Sequence, residues 1–213
     1  MAKAYNENSG GNLTFYNMYD GKIVERVEEG TEGAVERKLT KGPKEGQSIW
    51  EVYNNAIGGM ITGGGIVVKD ILGKKIPEIE LFLDDDAKIG IPMYLLKDVA
   101  EVLPKLDRTE PIKIRSYKSK SGRIGLEISQ GGKKLESHFT VWDEGDDGKK
   151  RPRNINGLPK PEYDEIDGWD FRDHDKFLKA VAIDFFAQYA SNQATPSLAD
   201  LVPEPDIDEE IPF

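Results

Sequence analysis

Residues 91–129, "IPMYLLKDVAEVLPKLDRTEPIKIRSYKSKSGRIGLEIS", contain the change of periodicity that decides the predicted fold. Apolar residues first recur at helical spacing from Leu95 onward, with Pro92 suited to a first helical turn, which predicts a helix. Apolar and polar residues then alternate over 111–117 and 123–129, with turn residues between them, which predicts a β-hairpin. The remaining elements are interpreted around this helix and the hairpin that follows it.

Short alternating segments on both sides of this unit predict further strands. They are expected at 12–19, 21–28, 34–39, 77–83 and 134–142, with two bent strands within 48–71. Gly58-Gly59 or Gly63–Gly65 would supply a bulge in the bent strands. A long loop is expected over 143–170, and a second amphipathic helix from Asp173, its predicted N-cap, to about Ala190.

The chain is therefore predicted to be mainly β with two helices. Strands, then a helix, then strands is the order of the OB fold, a five-stranded Greek-key barrel that commonly binds single strands or sugars. We expect this barrel with extra N-terminal strands, a C-terminal helix and a disordered acidic tail; an SH3-like barrel or a β-sandwich fits the same pattern. The predicted boundaries are a folded domain at 1–192 and a Pro- and acid-rich tail at 193–213.

Charge is unevenly distributed along the 213 residues, whose net charge is −10. From Gln193 onward there are six acids and no base, which leaves −4 on the rest of the chain. Within Lys105–Lys134, nine Lys and Arg face three acids, a local balance of +6. This pattern predicts a positive surface for polyanions and a negative tail that competes for that surface or is offered to partners.

The sequence contains no cysteine, which excludes disulfides and thiolate metal sites and agrees with a reducing cytoplasm. No apolar run is long enough to span a membrane, and the first residues carry no secretory signal pattern. We therefore expect a cytoplasmic protein without a membrane partner; its oligomeric state is not predicted.

The hairpin at 111–129 contains the strongest candidates for ligand binding. With period two, Ile112 and Ile114 face inward, and Lys113, Arg115 and Tyr117 share the outer face. Cations alternating with exposed rings suit a single strand, since phosphates are neutralised by Lys and Arg while unstacked bases lie on aromatic rings. The predicted DNA-binding residues are Trp50, Tyr53, Phe82, Lys113, Arg115, Tyr117, Lys118, Lys120, Arg123, Lys134 and Trp142.

Each of these candidates also has a purely structural interpretation. The polar strand face would then be solvated, with Tyr117 and Trp142 packed under loops. Trp50, Tyr53 and Phe82 would then be core or cross-strand packing residues, because the sequence does not fix their phase relative to the core.

Catalytic patterns are weak in this sequence. The glycine-rich segment "GGMITGGG" (58–65) lacks the Gly-Lys-Ser/Thr of a phosphate loop. No nucleophile-elbow motif in the sequence supports a Ser–His–Asp triad. Asp84–Asp86 could hold a divalent cation through carboxylates, which leaves a metal-dependent nuclease as an alternative. We expect no enzymatic activity, no catalytic residue, no resident metal and no cofactor.

The residues Asp208, Glu209, Glu210, Ile211, Pro212 and Phe213 resemble the C-terminal peptide of bacterial single-stranded DNA-binding proteins, which ends in several acids followed by Ile-Pro-Phe. The rest of the chain is more similar to phage-encoded single-stranded DNA-binding proteins, and distantly to the T7-type ones. The resemblance implies that 1–192 is an OB-fold domain that coats and protects unpaired DNA, without base specificity, during phage replication and recombination in the host cytoplasm. It also implies that the six tail residues recruit replication, recombination or repair proteins.

The residue types of this ending suit the binding of a partner protein. Phe213 would be an apolar anchor, and its α-carboxylate would suit a basic pocket. In the absence of DNA the tail would lie over the basic hairpin. The alternatives are a single-strand annealing or duplex-tolerant recombination mediator, the nuclease, and a sugar- or protein-binding barrel; phosphate binding weakens steeply with salt, whereas sugar stacking does not.

Overall fold

The computed structural model describes residues 13–40, 44–71, 73–165 and 168–190, and it confirms a mainly β protein with two helices. The predicted tail at 193–213 lies outside the described residues. The strands are β1 Thr14–Tyr19, β2 Lys22–Val27, β3 Val35–Lys38, β4 Ser48–Asn54, β5 Ala56–Gly59, β6 Ile61–Ile71, β7 Lys74–Leu83, β8 Ala87–Pro92, β9 Ile112–Lys118, β10 Ile124–Gln130, β11 Lys133–Lys134, β12 Thr140–Glu144, β13 Lys150–Asn154, β14 Glu162–Asp164 and β15 Gly168–Asp170; the helices are α1 Leu96–Ala100 and α2 Arg172–Ala190.

Residues 48–71 are central to the fold because this run takes part in both large sheets. β4 pairs antiparallel with β2, β5 with β9, and β6 with β7. The run changes partners at Asn55 and Met60, and its register shifts between Ile61 and Gly63. The two bent strands expected here are therefore three, and they carry the chain from one sheet to the other and back.

The strands form two large sheets and two ribbons. One sheet has seven strands in the order β3-β4-β2-β1-β8-β7-β6, and the other has four in the order β11-β10-β9-β5. β12 pairs with β13 and β14 with β15, and only the β1–β8 pairing is parallel among the described strands. These strands do not close into a barrel, so the OB barrel stays a prediction.

The hydrophobic core lies between the inner faces of the two large sheets and the helices. Ile79, Leu81 and Leu83 on β7 are buried, which confirms the alternation seen in the sequence. Ile112 and Ile114 on β9 join the same cluster from the other sheet. Since a fully buried aliphatic side chain contributes about 1.5–3 kcal/mol, this shared core ties the sheets together.

Helix α2 closes one side of the core by packing on β6. Gly64 makes room for it: a Cβ there would lie 2.7 Å from Cε1 of Phe186. The predicted apolar stripe is confirmed, with these residues buried or half-buried: Leu178, Val181, Ala182, Phe185 and Tyr189.

The prediction of one continuous strand over 134–142 is wrong. β11 ends at Lys134, and β12 begins only at Thr140 in a separate ribbon. Between them the Ser137 hydroxyl accepts hydrogen bonds from the backbone N–H groups of Phe139 and Thr140. This local turn competes with a sheet ladder and redirects the chain.

The predicted loop over 143–170 is also wrong in part. It contains the end of β12 and the strands β13, β14 and β15, which pair locally as two ribbons. Their sequences are rich in Pro, Gly and charge, and they do not show the apolar alternation of a half-buried strand, because they bury neither face against a core.

The first helix is shorter than predicted, whereas the second has the predicted extent but not the predicted N-cap. α1 covers only Leu96–Ala100, between 3₁₀ turns, and Pro104 lies in the second turn, where an α-helix would lose a hydrogen bond. α2 already includes Asp173, so this residue is not its N-cap; Asp170 instead accepts a hydrogen bond from the N–H of Arg172. Neither helix, as far as the structure describes them, is long and apolar enough to cross a membrane.

Candidate nucleic-acid interface

The outer face of the four-stranded sheet, which we call the hairpin face, brings together most of the predicted cations. Lys113, Arg115 and Tyr117 alternate with buried residues along β9 and are exposed, as predicted. Register places Glu127 opposite Arg115 and Ser129 opposite Lys113 and Lys134. Three more exposed cations follow Tyr117: Lys118 at the end of β9, and Lys120 and Arg123 in the turn after it.

Most of these cations are not neutralised by a neighbour. Among the residues that the structure describes, no carboxylate lies within 4 Å of Lys113, Arg115, Lys120 or Arg123. Two cations are paired: Lys134 lies 3.5 Å from Glu127, and Lys118 contacts Asp20. The hairpin face therefore offers charge that is available to an anionic ligand.

Tyr117 lies across this face rather than standing up from it. Its partner on β10 is Gly125, where a Cβ would come within 2.5 Å of Tyr117 Cζ and Oη. The ring remains 42% exposed. A flat, solvent-facing ring near exposed cations is a suitable surface for a stacked base. Gly125 was not selected from the sequence, because only the pairing of β9 with β10 shows that it lies beneath the ring.

The other predicted aromatic residues do not belong to the hairpin face. Tyr53 and Phe82 lie on the outer face of the seven-stranded sheet. Trp50, three residues from Tyr53 on β4, points to the opposite side because successive side chains on a strand alternate. Trp142 is 61% exposed on the β12–β13 ribbon, so its predicted position beside Lys134 on one strand is wrong.

The outer face of the seven-stranded sheet, here called the aromatic face, adds residues that the sequence interpretation missed. Register along β1 and its neighbours places Phe15 and Tyr19 on the same face as Tyr53 and Phe82. The alternation of β1 was visible in the sequence. Its neighbours were not, because β1 pairs with β8, more than seventy residues away.

Cations lie over the rings of the aromatic face. Arg37 Cζ is 4.8 Å from the Tyr19 ring centroid, and Lys88 Nζ is 5.1 Å from that of Phe15 and 5.8 Å from that of Phe82. These distances are within the range of cation–π attraction. The contacts fix both the rings and the cations on this face.

The same cations are also held by carboxylates. Arg37 donates two hydrogen bonds to the buried Glu51, at 2.7 and 2.6 Å, and Lys88 Nζ lies 3.0 Å from Glu80. Lys69 bridges Glu80 and the neighbouring Glu78. In contrast to the hairpin face, three of the cations here are already paired within the protein.

The electrostatics of this cluster show how firmly Arg37 is held. Burial alone would raise the pKa of Glu51, but hydrogen bonds from Arg37 and Tyr53 lower it below its ordinary value. The hydrogen bond to Glu51 raises the pKa of Arg37 in turn. Burial and the same carboxylate raise the pKa of Tyr53, whose hydroxyl donates to Glu51 over 2.9 Å.

The β1–β2 turn of the seven-stranded sheet contacts the end of β9 in the four-stranded sheet. Asp20 contacts Lys118 across the sheets. Gly21, at φ 76°, packs so closely that a Cβ there would be 2.9 Å from Lys118 Cβ and 3.1 Å from the Tyr117 carbonyl carbon. Tyr19 therefore lies one residue from a turn that touches Lys118, the neighbour of Tyr117.

Asp84–Asp86, the alternative metal site, form the tight turn between β7 and β8. Asp84 and Asp85 have positive φ angles of 51° and 58°, and Asp84 Oδ1 accepts a 2.7 Å hydrogen bond from the N–H of Met60. The part of the chain that the structure describes holds no group of three or more His, Asp or Glu side chains arranged for a metal ion. Asp84 thus has a structural role in joining this turn to the bend of residues 48–71.

The predicted partner-binding residues 208–213 lie outside the described residues, so the structure does not bear on them. Comparison of the chain with protein-family models, with curated proteins and with solved structures finds no match. The case for a function therefore depends on the chemistry of the two faces and on the resemblance of the tail.

Proposed function

We propose that this protein binds single-stranded DNA through the hairpin face, without base specificity and without catalysis. The observation that carries the proposal is the set of four exposed cations near Tyr117, for which the described residues supply no carboxylate partner. Phosphates of any sequence would be neutralised by the cations, and one base would stack on the ring. Coating and protection of unpaired DNA during phage replication and recombination is the role that fits this chemistry and the resemblance.

We also propose an OB-type origin for the central strands. Within residues 56–71, β5 pairs with β9 and β6 pairs with β7. Along the chain, α1 follows β8 and precedes the β9–β10 hairpin. One long strand shared between two partners, and a helix before the last hairpin, support this assignment. The edge of β8 is occupied by β1, which accounts for the additional N-terminal strands.

The acidic tail is proposed to recruit replication, recombination or repair proteins, as its resemblance implies, and to compete with DNA for the hairpin face. Deleting 200–213 is expected to tighten single-strand binding at low salt and to leave it unchanged at high salt, where the attraction is screened. Unchanged affinity and unchanged salt dependence would contradict the competition.

The direct test is a titration of the full chain with labelled oligo(dT) and with a duplex of the same length, at low and moderate salt. We expect tight binding that favours the single strand and weakens with salt, by about 0.7 in log–log slope per phosphate contact. Arg115→Gln should reduce both affinity and slope, whereas Lys179→Gln, an exposed cation on α2, should change neither. Equal affinity for both DNAs would favour the annealing or duplex-tolerant mediator, and binding to neither would refute the proposal.

A further inference from the structure

We propose that the aromatic face is a second contact surface for the same strand, and that it gives the protein its preference for unpaired DNA. Phe15 and Tyr19 would stack bases that have left the hairpin face. This inference rests on the proposed function of the hairpin face. It assigns a specificity role to residues outside that face.

The exposure of these rings follows from strand register. Tyr16 and Met18 on β1 pack against the core, so Phe15 and Tyr19 must point outward. They remain 47% and 51% exposed even with Lys88 and Arg37 over them. Four residues apart on one strand, the two rings are separated by roughly 13 Å along the sheet, which leaves space for more than one base.

The paired cations favour base stacking over phosphate binding on this face. Arg37 and Lys88 are committed to Glu51 and Glu80, and a phosphate would have to displace a carboxylate to reach either of them. Stacking on the rings displaces no carboxylate, and a base would take the part of each ring that the cation does not cover. The rings are held in place by cation–π contacts, so little side-chain freedom is lost when a base stacks on them.

The contact between the β1–β2 turn and the end of β9 brings the edges of the two sheets together. Asp20 and Lys118 join the turn after Tyr19 to the end of β9, where Tyr117 precedes Lys118. We infer that a strand stacked on Tyr117 would pass around this edge to reach Tyr19 and then Phe15 without crossing the core. A duplex cannot follow this path with its bases stacked on the rings, because they are paired and stacked within the helix.

The two faces are therefore expected to bind different parts of the DNA. The cations of the hairpin face attract phosphates of single and double strands alike, since both carry them. Only an unpaired strand can place bases on Phe15 and Tyr19. The ratio of single-strand to duplex affinity should therefore depend on the aromatic face, and the salt dependence on the hairpin face.

The test compares the Phe15→Leu/Tyr19→Leu double variant with the wild-type chain on three probes: oligo(dT), a duplex of the same length, and a strand of abasic residues with the same number of phosphates. Leucine keeps an apolar side chain but removes the ring. We expect oligo(dT) affinity to fall about five-fold or more for each ring that stacks a base. The salt slope, duplex affinity and abasic-strand affinity should be unchanged. Tyr94→Leu, which removes a 65% exposed ring from the turn before α1, should match the wild type throughout.

Different outcomes separate the two proposals. If the wild type binds oligo(dT) tightly and the double variant binds it equally well, the aromatic face has no such role while the proposed function stands. Equal losses on all three probes would show general damage and also refute the stacking role. Failure of the wild type to bind any probe would refute both. Photo-crosslinking of the wild type to a halogenated-uracil oligonucleotide should additionally label Phe15 or Tyr19, without any variant.

Discussion

The hairpin face and the aromatic face carry similar residue types, but their cations have different partners. On the hairpin face, Lys113 and Arg115 have no carboxylate within 4 Å among the described residues. On the aromatic face, Arg37 and Lys88 are bound to Glu51 and Glu80. A list of basic residues alone would not show this difference. Their availability to phosphate differs because, within the described part of the chain, neighbouring carboxylates neutralise Arg37 and Lys88 but not Lys113 and Arg115.

The largest expected effect comes from removing the free charge. The variant K113Q/R115Q/K120Q/R123Q should bind oligo(dT) more than about 100-fold more weakly, because hydrogen bonds to charged groups contribute about 1.5–3 kcal/mol each. Binding titrations over a range of salt should also show a flatter slope. The double variant K160Q/K179Q, which removes exposed cations elsewhere, is the control. Similar losses in both would mean that the position of the charge does not matter.

Filling the space beneath the Tyr117 ring should have the next largest effect on single-strand affinity. Gly125→Val places side-chain atoms where the ring now lies, so the ring must lift from the sheet. We expect a loss of about 1–3 kcal/mol in single-strand affinity, the contribution of one stacked base, with no change in salt slope. In a Tyr117→Leu background the same substitution should cost little. Additive losses in this double-mutant cycle would contradict stacking on Tyr117.

Protonation of Glu51 at acidic pH should lower the free energy of unfolding. The pKa of Glu51 is lower in the folded protein than its ordinary value of 4.5. The ionised carboxylate therefore stabilises the fold at pH values above 4.5. This stabilisation is lost as the pH falls through the lower pKa of the folded protein. Denaturant unfolding of Glu51→Gln should therefore lose less stability than the wild type over that acid range. Glu32→Gln, at an exposed site, should follow the wild type. If the free energy of unfolding of Glu51→Gln fell as steeply with pH as that of the wild type, this role for the ion pair would be contradicted.

The smallest expected effect is a slight increase in DNA affinity. Asp20→Asn removes the carboxylate that pairs with Lys118 while keeping a residue type that tolerates the φ of 48° at this position. Freed from its partner, Lys118 should add about one phosphate contact, raising the salt slope by about 0.7 and tightening binding slightly at low salt. Thermal stability should change by less than about 1 kcal/mol, as usual for exposed pairs. Weaker binding would show that the pair itself positions the strand.

Local periodicity was enough to predict the parts of the fold that depend on neighbouring residues. The alternation of β9 correctly separated Ile112 and Ile114 from Lys113, Arg115 and Tyr117. The 3.6-residue stripe of α2 was also right. Prediction failed where local polar groups diverted the chain, as at Ser137, and where ribbons bury no face, as at β13.

The sequence by itself determined the mainly β class, the two helices and the position of the basic hairpin, because these depend on contacts between residues close in the chain. Tertiary structure alone decided that Phe15 and Tyr19 share a face with Phe82, since the parallel β1–β8 pairing joins distant segments. It also decided that Gly125 lies beneath Tyr117 and that Glu51 neutralises Arg37. A side chain's partners across a sheet depend on pairing and register, and register between distant strands is set by the packing of the whole core.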